Sequence, residues 1–207
     1  MNGNHDYVYG EGRNEKGKRN RATPEVQEEK HTRFKQTFGM TDLYYTRKVG
    51  RYFLVFLALD NPATLAGMSQ TQLAWLRAEL ERNRRKPTII FFHAPLNGTL
   101  LKHPGKDFVA QPVEEIRTVI LQNPQIFLWV SGHTHTPPSS ESFAAPVNVY
   151  EGRVTNIHTC DMERKQIWTN SLYLYPDKVL VRTFDHAQGG WMERLDRTIL
   201  PPQVDGE

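Results

Sequence analysis

Thr88-Ile89-Ile90-Phe91-Phe92-His93 is a short apolar run that begins directly after Pro87 and ends in a histidine. It predicts a buried strand, and a helix predicted over about Val113 to Leu121 follows it. A second apolar run, Ile126 to Val130, then leads into Gly132-His133-Thr134-His135. This strand, helix, strand order is typical of α/β folds, in which ligands bind at the carboxyl ends of the strands. The sequence therefore predicts a sheet with histidines gathered at one edge.

Two elements are predicted between residues 23 and 59. A helix begins at Pro24 and continues to about Phe38, with Thr23 as its N-cap and Gly39 at its end. Asp42 to Arg47 and Arg51 to Leu59 predict a β-hairpin. Its second strand is apolar throughout, so we expect it to be buried on both faces.

A further helix begins after Ser69, whose side chain can cap it while Gln72 reaches back to complete a capping box. Leu73, Leu76 and Leu80 give this helix an apolar stripe at helical spacing. The stripe predicts a helix packed against the sheet.

The chain becomes rich in β-branched and aromatic residues from Val147 onward. Val154 to Thr159, Ile167 to Tyr175 and Lys178 to Phe184 predict antiparallel strands, which form a second sheet or extend the first.

The composition of the 207-residue chain fits one domain with a core of its own. Its 26 basic and 23 acidic side chains nearly balance, so bulk charge indicates no polyanionic partner. The longest strongly apolar run, Tyr52 to Leu59, is far shorter than the roughly 20 residues that span a bilayer as a helix. A single cysteine, Cys160, excludes an internal disulfide framework and fits a reducing compartment, so we expect a cytoplasmic protein with no membrane partner.

The stretch Glu11 to Asn20 has no apolar periodicity and predicts a surface loop. Its basic side chains could contact a nucleic-acid backbone, but runs of charge are usually solvated surfaces. We therefore do not expect nucleic acid as a partner. The basic residues are Arg13, Lys16, Lys18, Arg19 and Arg21.

Three separate segments carry the side chains that indicate chemistry. Gly3-Asn4-His5-Asp6 lies near the amino end, His93 follows the first apolar strand, and His133 and His135 follow the second. Neutral imidazole is a good ligand for zinc, iron, manganese or nickel, and Asn4 offers an amide oxygen. The presence of all three segments in one chain favours a metal site, although each segment alone would not.

These segments together resemble the calcineurin-like metallophosphoesterase family. Gly3 to Asp6 match its Gly-Asn-His-Asp/Glu motif, His93 its single-histidine motif, and Gly132 to His135 its Gly-His-x-His motif. Leu59-Asp60 and Met68 to Leu76 are similar to the branch that contains bacterial cyclic-nucleotide phosphodiesterase-like proteins. The resemblance implies a two-sheet α-β-β-α sandwich, classed as α/β or by some schemes as α+β, in a single domain over residues 1–207.

The resemblance also implies roles for individual residues. Asn4, His93 and His133 would bind one metal ion, and His135 would bind a second. The ions would be divalent or trivalent, of manganese, iron, zinc or nickel. His5 would contact the phosphate of the ester substrate, and Asp6 would orient its imidazole. The other four histidines match no family motif, and we expect structural or surface roles for them: His31, His103, His158 and His186.

The chain departs from the family pattern before Gly3. In the family, an Asp-x-His motif and a Gly-Asp-x-x-Asp motif precede this position and supply the carboxylates of the metal pair. Here only Met1 and Asn2 precede Gly3, and neither motif occurs later in the sequence. We therefore expect this chain to be a carboxyl-terminal part of a longer enzyme, lacking the first strands of the fold.

Two functions remain open at this point. The first is a metal-dependent phosphoesterase that cleaves a phosphomonoester or phosphodiester with a metal-bound hydroxide, inactive if this chain is truncated. The alternative is a catalytically silent domain that binds one metal ion or an acidic partner. The sequence predicts no oligomeric state.

Overall fold

The computed structural model describes residues 1–61, 63–159 and 167–204, so Cys160 lies outside the described residues. Four α-helices lie within these ranges: α1 (Asn4–Tyr7), α2 (Pro24–Phe38), α3 (Gln70–Arg82) and α4 (Val113–Gln122). The strands, in chain order, are β1 (Tyr9–Arg13), β2 (Arg19–Arg21), β3 (Tyr45–Val49), β4 (Tyr52–Phe56), β5 (Thr88–Phe91), β6 (Ile126–Ser131), β7 (Val149–Tyr150), β8 (Val154–His158), β9 (Trp168–Leu174), β10 (Val179–Asp185), β11 (Gly190–Trp191) and β12 (Arg197–Ile199).

The larger sheet has the strand order β3-β4-β5-β6-β8-β7. Strands β4, β5, β6 and β8 are mutually parallel, whereas β3 and β7 pair antiparallel at the two edges. The carboxyl ends of β5 and β6 are therefore neighbours. There the backbone N–H of Gly132 donates to the carbonyl oxygen of His93 at 2.9 Å, as expected for two histidine-bearing loops at one sheet edge.

The core has two layers, one on each face of this sheet. On one face, the apolar stripes of α3 and α4 pack against residues such as Val55 and Trp129. On the other face, Leu54 and Leu128 pack against Val179 and the rest of the smaller sheet, which β9, β10, β11 and β12 form. Burial of apolar side chains on both faces explains why β4 and β6 are apolar throughout. The fold is thus the predicted α/β arrangement with two packed sheets.

The ends of α2 confirm the prediction from local sequence. Thr23 Oγ1 accepts a hydrogen bond from the Val26 N–H at 3.4 Å, and Pro24 occupies the first turn. Gly39 ends the helix with φ at 61°, a left-handed conformation that glycine adopts without a Cβ clash.

The start of α3 differs from the predicted capping box. Ser69 caps the helix, because its Oγ accepts from the Gln72 N–H at 3.1 Å. The Gln72 side chain does not reach back to Ser69. Its amide instead donates to the Ala58 carbonyl at 2.9 Å and accepts from the Ala58 N–H at 2.8 Å. The buried side-chain amide of Gln72 thus makes both backbone hydrogen bonds of Ala58, which a neighbouring strand would otherwise make.

The predicted strand Arg51 to Leu59 is three residues too long at its carboxyl end, because β4 ends at Phe56. Leu57, Ala58 and Leu59 are buried, but only Leu57 still bonds to β5, its N–H donating to the Phe91 carbonyl at 2.9 Å. Asn2 supplies the partner for Leu59, accepting from its N–H at 2.8 Å and donating to its carbonyl at 3.0 Å. Side-chain amides therefore satisfy backbone groups that the apolar pattern alone assigned to a sheet.

Two further predictions need correction. Glu11 to Asn20 is not a loop, because most of it belongs to the antiparallel hairpin β1–β2. Its turn is fixed by Asn14 Oδ1, which accepts from the backbone N–H groups of Lys16 and Lys18 at 3.0 Å. The hairpin is exposed, so its strands need no apolar alternation.

The three strands predicted as antiparallel from Val154 onward are divided between the two sheets. Strand β8 is parallel to β6 in the larger sheet, whereas β9 and β10 form the predicted antiparallel pair.

Within the described ranges, no helix has the length and apolar character needed to span a membrane.

Candidate metal and phosphate site

The amino-terminal motif packs directly against His93. A Cβ built on Gly3 would lie 2.9 Å from Cε1 of the His93 ring, so only glycine permits this approach. Asn4, the first residue of α1, is buried, and its Oδ1 accepts a hydrogen bond from His93 Nε2 at 2.8 Å. Two predicted ligands that are 89 residues apart in sequence are therefore in contact.

A tight turn directs His133 towards the same point. The Thr134 N–H donates to the Gly132 carbonyl at 2.7 Å, and His133 between them has φ at 66°. This left-handed conformation is uncommon for a residue with a Cβ. The His133 ring stacks on Phe108 with centroids 5.3 Å apart, and its Nε2 donates to the Asp107 carbonyl at 3.1 Å. Backbone turn and ring contacts together fix the imidazole.

The rings of His93 and His133 lie with their centroids 4.8 Å apart. Burial is the main cause that lowers the pKa of His93 to about 3, and the nearby rings of His133, His5 and His135 contribute to that value. Burial also lowers the pKa of His133, and the neighbouring His135 adds to this effect. Both imidazoles are therefore neutral at pH 7, which is the form that binds a metal ion.

A cavity of about 400 Å³ opens above these residues. Its lining contains four predicted site residues, Asn4, His5, His133 and His135. A second cavity of about 460 Å³ shares the residues Pro104, Thr134 and His135 with it, so the two cavities adjoin. The first cavity has the size of a small-molecule site. No carboxylate belongs to its described lining.

His5 and Asp6 have contacts that differ from the predicted pair. Asp6 Oδ2 accepts from the Gly3 N–H at 2.8 Å, which holds the start of α1. The group in contact with the His5 ring is Arg19, whose Nη1 lies 2.9 Å from His5 Nδ1. Because a guanidinium can only donate, Nδ1 is the acceptor, and the proton of a neutral His5 ring is on Nε2. Sequence reasoning missed Arg19, which it had assigned to a solvated basic stretch.

The donors present fit one metal ion better than two. Ligands of one tetrahedral ion with bonds of about 2.0–2.1 Å lie roughly 3.3 Å apart, close to the 2.8 Å between Asn4 Oδ1 and His93 Nε2. A bound ion would replace that hydrogen bond. Over the described part of the chain, however, no group of three or more His, Cys, Asp or Glu residues is arranged to hold a metal ion. These residues therefore do not fit a metal pair, which needs carboxylates in addition.

None of the four remaining histidines belongs to the described lining of the 400 Å³ cavity, although His103 lines the second one. His31 is buried and stacks on Tyr7 with centroids 4.0 Å apart. His158 is fully buried, and its Nε2 donates to the Thr99 carbonyl at 3.1 Å. The side chains of the other two, His103 and His186, form hydrogen bonds at the surface.

Comparison with protein families agrees with this geometry. A family model described as calcineurin-like phosphoesterase matches residues 2–137, a span that includes every predicted site residue. The chain belongs to the calcineurin-like phosphoesterase family. A search of curated protein sequences found no match to the chain.

Solved structures share the fold. A dimetal phosphatase from Danio rerio superimposes with a TM-score of 0.57 at 15% identity, covering 77% of this chain and 60% of that one. GAP50, the anchor in the inner membrane complex of Plasmodium, superimposes with a TM-score of 0.52 at 10% identity, covering 80% of this chain and 57% of that one. This chain thus spans about 60% of the length of these structures. At such low identity the likeness shows the fold alone.

Proposed function

We propose that this chain carries the histidine-rich part of a metal-dependent phosphoesterase site, which hydrolyses a phosphomonoester or phosphodiester. The observation that carries the proposal is the convergence of Asn4, His93 and His133 at one sheet edge, directly beneath a cavity that His5 and His135 also line. Membership of a phosphoesterase family supports the reaction class.

The residues of the site would divide the work between metal binding and substrate binding. Asn4, His93 and His133 would hold one ion, and His135 would contribute to a second only where carboxylates from outside this set complete that site. When bound, the metal supplies Lewis acidity to a phosphoryl oxygen and activates water. His5 lines the cavity, and because its Nδ1 accepts from Arg19, its Nε2 is the ring nitrogen that can donate to a phosphate oxygen or to the leaving oxygen of the ester.

The charge of the ligand set limits what these residues do unaided. All four candidate ligands are neutral donors, and the cavity lining contributes no described carboxylate. Attraction of a divalent cation by neutral donors is weaker than by carboxylates, so we expect weak binding of one ion. Hydrolysis therefore also requires carboxylate ligands, which these four residues do not provide.

Hydrolysis of an aryl phosphate monoester and of the corresponding diester tests the proposal, with manganese, zinc, nickel or iron added to metal-free protein. The chain should be assayed alone and with any coding sequence found upstream of Met1 in its gene. We expect metal-dependent turnover that falls at least about a hundredfold in His133→Ala, because the ion loses a ligand. His186→Ala is the matched control, since His186 is exposed and bonds to Thr169. No turnover in any form with any of these metals would refute the proposal.

The alternative is a catalytically silent domain that binds a metal ion or an acidic partner. The lack of a three-residue metal cluster over the described residues is consistent with catalytic silence, and the exposed basic hairpin supports the acidic partner. Under this alternative, every form of the protein binds zinc or an acidic peptide without hydrolysing either ester. Binding of the acidic peptide would weaken with salt and with charge reversal of Lys16 and Lys18 on the hairpin. Salt-insensitive binding of the peptide would exclude electrostatic capture by the hairpin.

A further inference from the structure

Two side chains of the hairpin β1–β2, those of Tyr9 and Arg19, reach the candidate site. Arg19 reaches back across 14 residues, so that its Nη1 is 2.9 Å from His5 Nδ1. Its guanidinium carbon also lies 5.7 Å from the centre of the Tyr9 ring, and that ring is 5.4 Å from His5. His5 and Tyr9 both line the 400 Å³ cavity. Arg19 is therefore held beside the cavity by two of its lining side chains.

The charges around this point favour an anion. Among the described ion pairs none involves Arg19, so its charge is not neutralised by a carboxylate there. Lys30 adds a second cation nearby, with its Nζ donating to the Tyr9 carbonyl at 2.8 Å. Asp6 is the nearby acid, and its carboxylate accepts from the Gly3 N–H. Lys30 and Asp6 line a neighbouring depression that shares His5 with the 400 Å³ cavity, so their charges oppose each other there. Arg19 is thus the cation beside the cavity that has no described carboxylate partner, and with no carboxylate in the described lining this arrangement favours a negatively charged ligand.

We propose that Arg19 is a phosphate-binding residue of this site, contacting a non-bridging phosphoryl oxygen of the substrate next to His5. This inference rests on the proposed function and adds a recognition residue that belongs to none of the three family motifs. A guanidinium carries five N–H donors in a planar fork that matches phosphate oxygens, and the contact with His5 uses one of them. The contact with Tyr9 limits the conformations of the side chain, which lowers the entropy lost on binding.

Binding of inorganic phosphate in the presence of a chelator tests this inference without requiring catalysis. Titration calorimetry would give the affinity, and NMR would report whether the His5 ring resonances shift. We expect saturable binding that weakens about tenfold in Arg19→Gln, since a charge-assisted hydrogen bond is lost. Arg19→Lys keeps the charge but not the fork, so it should weaken binding by a smaller factor.

Two controls separate a local contact from general electrostatics. Arg77→Gln makes the same change at an exposed position of α3, and Lys16→Gln removes a charge from the tip of the hairpin. Both should bind phosphate like the unmodified chain. Arg19 is exposed, so circular dichroism should show that its variants keep the fold.

Three results would overturn the inference: no phosphate binding by the unmodified chain, equal affinity in Arg19→Gln, or an equal loss in Lys16→Gln. The last result would indicate that the hairpin attracts any polyanion, including a nucleic-acid backbone. Phosphate binding through Arg19 without ester hydrolysis would contradict the proposed function alone. Hydrolysis that is indifferent to Arg19, with unchanged phosphate affinity, would contradict this inference alone.

Discussion

Acid should destabilise the fold through His158, a residue that sequence reasoning placed outside the active site. The side chain is fully buried between the sheet and the loop that follows His93, and its Nε2 donates to the Thr99 carbonyl. Burial lowers its pKa from 6.5 to about 4, and the nearby charge of Arg197 contributes in the same direction. The folded protein therefore resists protonation of a group that the unfolded chain protonates readily.

The sign and size of the effect follow from linkage. Because the folded pKa lies below the unfolded pKa, the unfolded state binds more protons between pH 6.5 and 4. The stability is fully present above pH 6.5 and is lost as the pH falls towards 4. For these two pKa values, the free energy of unfolding falls by about 2 kcal/mol at pH 5, and the decrease approaches roughly 3 kcal/mol below pH 4.

Urea unfolding at pH 7 and pH 5 measures this loss, and His158→Gln isolates it. Glutamine can still donate to the Thr99 carbonyl but does not titrate, so the variant should lose about 2 kcal/mol less than the unmodified chain between these pH values. Its lower stability at pH 7, caused by the change of shape in the core, does not affect that difference. His103→Gln at the surface should keep the full pH dependence, because its ring is exposed. Equal pH dependence in His158→Gln and the unmodified chain would refute the reasoning.

Two other substitutions test single contacts, that of Gly3 with His93 at the site and that of Gln72 with Ala58 in the core. Gly3→Ala places a Cβ 2.9 Å from the His93 ring, so zinc affinity, measured by competition with a chromophoric chelator, should fall about tenfold. Gly190→Ala, where a Cβ meets nothing within 4 Å, should leave zinc affinity unchanged, and an unchanged affinity in Gly3→Ala would contradict the packing argument. Gln72→Ala leaves the N–H and carbonyl of Ala58 without their buried partner, and urea unfolding should show a loss of about 2–4 kcal/mol. Gln70→Ala on the exposed side of α3 should cost less than about 0.5 kcal/mol, and a similar value for Gln72→Ala would be inconsistent with its role.

Elements whose signals are local could be predicted closely. Helix α2 begins and ends where Thr23, Pro24 and Gly39 indicated, because capping and glycine conformation depend on neighbours in sequence. The apolar runs that became β5 and β6 were also recognisable, since both faces of each strand are buried. Their order along the chain was enough to place His93 and Gly132 at one edge.

Features that depend on distant partners could not be predicted in the same way. The apolar pattern through Leu59 is correct about burial but not about pairing, because Asn2 and Gln72 supply the hydrogen bonds from elsewhere in the chain. Arg19 was missed for a related reason. The Asn14 and Gly17 turn signals indicate that the basic stretch folds back on itself, but not that Arg19, the first residue of its return strand, contacts His5.

Backbone conformation gives an independent reason to regard the histidine loop as functional. His133 and His135 have φ values of 66° and 49°, which cost a residue with a Cβ about 1 kcal/mol or more each. Glycine would adopt the same conformations without this cost, so stability alone does not explain imidazoles at both positions. The strained turn directs His133 towards His93 and places His135 where the two cavities meet. A loop that accepts strain and presents two imidazoles at a cavity is what ligand binding requires.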